Sequence, residues 1–129
     1  MSSLDWRRIL RWPLALFMIG VGALHFTRAT DFEHIVPDYL PARAALVAVS
    51  GVFEILGGVG LLVPRVRRAA SLGLVALYVA VFPANVNMVI HPELGRGVAA
   101  WLLWARLPLQ GVLIAWAIWA GRERGPRRR

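Results

Sequence analysis

Two ionisable side chains fall inside long apolar runs of this sequence: Glu54 in "SGVFEILGGVGLLV" and Arg106 in "VAAWLLWARLPLQGVLIAWAIWAG". In a low-dielectric surrounding such groups are costly, face the interior of a bundle and find a partner there. Counted at about 1.5 Å per residue from the outer ends of their runs, Glu54 lies roughly 15 Å deep and Arg106 roughly 12 Å. Matching depth and opposite charge predict that the two meet, because a guanidinium offers a carboxylate two parallel hydrogen bonds. Gln110 follows Arg106 by one turn and extends this network or contacts a ligand, while Pro108 frees the carbonyl of Trp104 as an acceptor for it. A further run, "VFPANVNMVIHPEL", carries Pro83, which cannot bond the carbonyl of Val79, followed by Asn85 and Asn87. Two residues apart is about 200° around a helix, so the two asparagines cannot face the centre equally. Asn85 is the favoured one, and Asn87 is left to a partner or the interface. His25 falls at about the level of Asn85.

These residues suit binding better than bond-breaking. The histidines His25, His34 and His91 lack the paired spacing of a metal or haem site, and no nucleophile with a base is apparent. With no cysteine, disulfides, iron–sulfur clusters and thiolate metal sites are excluded. Any redox role therefore falls to a bound molecule. His25, Glu54, Asn85, Arg106 and Gln110 would line a pocket for a small amphipathic ligand such as a quinone, with apolar walls for ring and tail and polar groups for the carbonyls. Alternatively the same network only specifies helix pairing. A transporter would also use membrane carboxylates, but four helices without evident repeats make a thin one.

The elements that must carry these residues are membrane spans. With 58% hydrophobic and 17% charged residues, the 129-residue chain is too apolar for an ordinary soluble fold. Stretches of about 20 apolar residues cross a bilayer, and four are present, at about 9–26, 44–63, 69–90 and 98–120. The expected fold is an all-α, four-helix transmembrane bundle over 1–121, followed by a basic tail, 122–129, read as disordered. Ser50, Gly51, Gly57 and Gly58 lie three or four residues from Glu54 on its own face, where small residues admit a close neighbour helix. In the first outer loop, Thr30-Asp31-Phe32-Glu33 has capping-box spacing. It predicts a short helix, stopped by Pro37, whose Phe32, Ile35 and Val36 lie in the membrane interface. The opening residues to Ala23 also resemble a signal peptide, but cleavage there would leave an odd three-span remnant, so they are read as a span.

A net charge of +8 would suggest nucleic acid in a soluble domain, but the arginines gather at helix ends, and no nucleic-acid role is expected. Arg7, Arg8 and Arg11, then Arg65, Arg67 and Arg68, then Arg122, Arg124, Arg127, Arg128 and Arg129 make eleven of the fifteen basic residues. The opposite connections hold only Arg28, Arg43 and Arg96. The positive-inside rule then places both termini in the cytoplasm and the chain in the plasma membrane, with the tail attracted to anionic lipid headgroups.

The segments "GALHFTRATDFEHIVPDYLP", "SGVFEILGGVGLLVPRVRRAA", "FPANVNM" and "RLPLQGVLIAW", in that order, resemble the DoxX family of small four-helix membrane proteins. The resemblance runs from the first span almost to the tail. It marks His25, Phe26, Pro37, Pro41, Ser50, Glu54, Asn85, Arg106 and Gln110. It implies a small subunit of a membrane redox complex, since the family takes its name from a subunit associated with a quinol oxidase and thiosulfate:quinone oxidoreductase. Quinone, other subunits of the complex, membrane lipids and further copies of the chain are the partners this implies. Eukaryotic relatives act in receptor assembly or cargo export, which keeps a non-catalytic scaffold role open.

Overall fold

The computed structural model describes residues 5–95 and 99–122, and the basic tail beyond Arg122 lies outside the described residues. Helices α1 (Trp6–Thr27), α3 (Arg43–Leu62), α4 (Arg67–Ile90) and α5 (Ala100–Gly121) are each long and apolar enough to cross a membrane. A short α2 (Ala29–Ile35) links α1 to α3, and one 3-10 turn (Pro92–Gly95) follows α4. Large apolar side chains point outward, with Leu56 and Val79 each 60% exposed, as a lipid-facing surface requires.

The spans run up, down, up and down around a ring. Helix α1 packs most closely on α3, α3 lies beside α4, α4 packs on α5, and α5 closes back on α1. Hence α3 and α5 are diagonal, as are α1 and α4. Each span presents an inward line spaced by seven residues: Arg11, Met18 and His25; Val47, Glu54 and Leu61; Ser71, Tyr78 and Asn85; Leu103, Gln110 and Ala117. All are buried except Asn85, which is half-buried. A repeat of seven keeps one stripe facing the bundle axis when helices wind around one another with a slight left-handed twist.

At the end carrying the two termini the interior is packed, with Leu14, Met18, Leu61, Leu74, Leu77, Tyr78, Ala117 and Ala120 forming one apolar core. Side chains tie off backbone carbonyls there. Arg11 Nε donates to the carbonyl of Ala120 (2.9 Å), Ser71 Oγ to Ala117 (2.6 Å), and Arg67 Nε to Leu61 (2.7 Å). The Ala120 and Leu61 carbonyls lie in the last turn of their helices, where no further amide remains to bond them. Arg11 is therefore more than a flanking charge, being only 8% exposed.

The expected face of small residues around Glu54 divides between two neighbours. A Cβ on Gly51 would lie 2.8 Å from His25 Cβ and 3.0 Å from the Gly22 carbonyl, and one on Gly58 2.8 Å from the Ala15 carbonyl, so both face α1. Gly57 faces Leu74 of α4, and Ser50 faces the bundle interior. Neither Pro83 nor Pro108 interrupts its helix.

The capping box does not form. Helix α2 begins at Ala29, with Arg28 as its N-cap and no side-chain cap bond. Because α1 runs to Thr27, only Arg28 separates the two helices, and Thr30 is already inside the first turn of α2. The other end behaves as expected, for Val36 is extended (φ −67°, ψ 128°) ahead of Pro37.

Candidate functional site: a roofed polar cavity

Away from the packed core, the α2 end of the bundle encloses a cavity of about 340 Å³ with walls from all four spans. Phe32, Ile35 and Val36 of α2 line it as a roof, so the apolar face expected to lie in the membrane interface is turned onto the bundle. Asn87 fastens this roof by donating to the carbonyl of Ile35 (3.1 Å), in the last turn of α2. That gives Asn87 a partner within the chain and leaves Asn85 to the interior. At the floor, Tyr78 donates its hydroxyl to Met18 Sδ across the α1–α4 diagonal.

All of His25, Glu54, Asn85, Arg106 and Gln110 line this one cavity, together with Ser50. The five residues meet at one cavity, but the expected pairing of Glu54 with Arg106 does not form. Glu54, 6% exposed, lies beside His25, with Oε2 3.0 Å from Nδ1. Arg106 instead directs Nη1 at Met88 Sδ (3.4 Å), a weak acceptor, and no carboxylate among the described residues pairs with it. The reason lies in the ring order: α3 and α5 are diagonal, so equal depth leaves their charges on opposite walls.

His25 Nδ1 is also 2.9 Å from the carbonyl of Val21. A carbonyl only accepts, so Nδ1 carries the proton and directs it there. Glu54 Oε2 is then close enough for an ion pair with a doubly protonated His25, yet it receives no directed hydrogen bond and is buried. The ring of His25 stacks on Phe32 of the roof at 4.0 Å between centroids.

The other polar pair is internally satisfied. Asn85 Nδ2 donates to Gln110 Oε1 (2.6 Å), and Gln110 Nε2 donates to the carbonyl of Tyr78 (2.5 Å). The network's backbone acceptor is thus Tyr78, in the turn ahead of Pro83, and not Trp104 ahead of Pro108. Tyr78 itself was missed by motif reading. Its signal was its place seven residues from both Ser71 and Asn85 on α4. Among the described residues no three His, Asp or Glu side chains group as metal ligands do.

This architecture defines a four-helix membrane protein with an apolar core toward one end and a roofed polar cavity at the other. The model of the family described as "Domain of unknown function (DUF8561)" matches residues 14–121, and the chain belongs to that family. No curated protein and no solved structure matches the chain.

Proposed function

We propose that this is a DoxX-like protein of the cell membrane, both termini cytoplasmic, which serves a membrane redox complex by holding a quinone-like amphipathic molecule in the cavity. The observation that carries the reading is Glu54 Oε2, a buried acceptor beside a cavity and without a directed donor. Leaving a buried charged acceptor unsatisfied is expensive, and a ligand hydroxyl, as in a quinol, would supply the missing donor. Arg106, on the opposite wall, would donate to a carbonyl oxygen of the same molecule. The ring would lie among Phe32, Val36, Val47 and Leu113, which give the cavity its apolar lining. Orientation rests on the sequence asymmetry of eleven arginines flanking the spans on one side against three on the other, and the DoxX likeness rests on four motifs in order.

A specific observation favours the scaffold alternative for part of the network: Asn85, Gln110 and the Tyr78 carbonyl satisfy one another without a ligand. Native mass spectrometry of the protein in nanodiscs, titrated with a short-chain ubiquinone, separates the readings. The expected result is one bound quinone in the wild type and binding about tenfold or more weaker in Glu54→Gln and Arg106→Gln, the scale of a lost charge-assisted hydrogen bond. A wild type that takes up no quinone, with both variants melting much earlier, would establish the scaffold instead.

A further inference from the structure

We infer that the terminal end of the bundle carries a second site, which binds the phosphate headgroup of an anionic phospholipid. A pocket of about 570 Å³ opens there between α1, α4 and α5, remote from the cavity under α2. Three arginines line it from three parts of the fold: Arg7 near the start of α1, Arg68 in the first turn of α4, and Arg122 just after α5. No carboxylate lines it, and none of the three arginines is in an ion pair among the described residues.

Like charges gathered at one pocket repel, and no carboxylate among its described lining residues offsets this repulsion. An anion does, and phosphate suits the planar guanidinium fork. Arg7 is held over the Trp119 ring at 5.8 Å, a contact to the ring face that leaves its N–H donors free. Helix α4 starts without a side-chain cap, so its N-terminal dipole adds to the attraction. The opposing C-terminus of α5 would repel an anion, but Arg11 already covers the Ala120 carbonyl and the Arg122 amide the Trp119 carbonyl.

The source of the phosphate follows from the remaining walls. Leu72 and Ile118 flank the pocket and are 58% and 39% exposed on the lipid-facing surface. They offer acyl chains a path directly beside the charges, which a free phosphate ion would not use. Basic pockets between transmembrane helices hold anionic headgroups in this manner.

The test is lipid retention by the full chain, released from nanodiscs of equal parts phosphatidylglycerol and phosphatidylcholine and read by native mass spectrometry. Wild type is expected to retain phosphatidylglycerol selectively, and Arg68→Gln to weaken retention about fivefold, the scale of one interfacial cation. Arg65→Gln removes the same charge from the same connection but outside the pocket, and retention should be unchanged. Arg122→Gln should repeat the Arg68→Gln loss from a different helix, which keeps the test decisive if the start of α4 is disturbed. Equal retention of both lipids by wild type, or equal loss in Arg65→Gln and Arg68→Gln, overturns the site. So does binding of inorganic phosphate in phosphatidylcholine discs without retention of phosphatidylglycerol, which would assign the pocket to a free anion.

Discussion

Gln110 donates and accepts at once, and in doing so holds α5 to α4 at mid-span. Truncating it leaves the Asn85 amide and the Tyr78 carbonyl without their partner, so Gln110→Leu is expected to destabilise by about 1–2 kcal/mol. Replacing Asn85 as well removes one of the orphaned groups. The double variant Asn85→Leu/Gln110→Leu should therefore cost less than the sum of the two single changes, read from thermal melts in detergent. Strict additivity would show that the two side chains do not interact. Glu54 and Arg106 belong to the opposite category: neither is satisfied by the other, and both face space. Their residue types and depth were legible in the sequence, but their partners were not, because depth along a helix says nothing about which neighbour it faces.

The seam between α1 and α3 places His25 against Glu54, and it depends on Gly51 having no side chain. A methyl there would meet His25, Phe26 and the Gly22 backbone together. Gly51→Ala should push the helices apart and lower stability by about 1–3 kcal/mol, the usual cost of overpacking. Gly111, on α5, has open space where a Cβ would stand, so Gly111→Ala should leave the melting temperature near wild type. Equal effects of the two changes would rule out a tight α1–α3 seam. Helix α5 is tied to both neighbours by side chains, with Trp116 Nε1 donating to the Leu10 carbonyl of α1 and Gln110 Nε2 to the Tyr78 carbonyl of α4.

The whole molecule is asymmetric along its axis, with an apolar core and side-chain-bonded carbonyls toward the terminal end and a roofed cavity at the α2 end. An even number of spans puts residue 5 and residue 122 at the same end, and the bond from Arg11 to Ala120 joins them there. With the arginine clusters at that end, a reporter fused after Arg129 is expected to be active in the cytoplasm and silent outside it. An externally active fusion would reverse the proposed orientation.

Four spans, a short helix before Pro37 and a charged end are properties of local composition and length, and each was readable from the chain alone. The inward stripes were not read from the chain: Met18, Glu54, Tyr78 and Gln110 each stand seven residues from buried positions on either side in their own helix, save that Tyr78 has half-buried Asn85 on one side, and the spacing stands out only once burial is known. Only the tertiary structure decided which stripes meet. The ring order set α3 across from α5, gave Glu54 to His25, left Arg106 beside Met88, and folded α2 over the opening. A helix's pattern specifies its own buried face, whereas the choice of neighbour depends on how close two backbones come. Here that closeness is set by glycines on α3 meeting small residues and bare backbone on α1, a complementarity held jointly by two segments and visible in neither by itself.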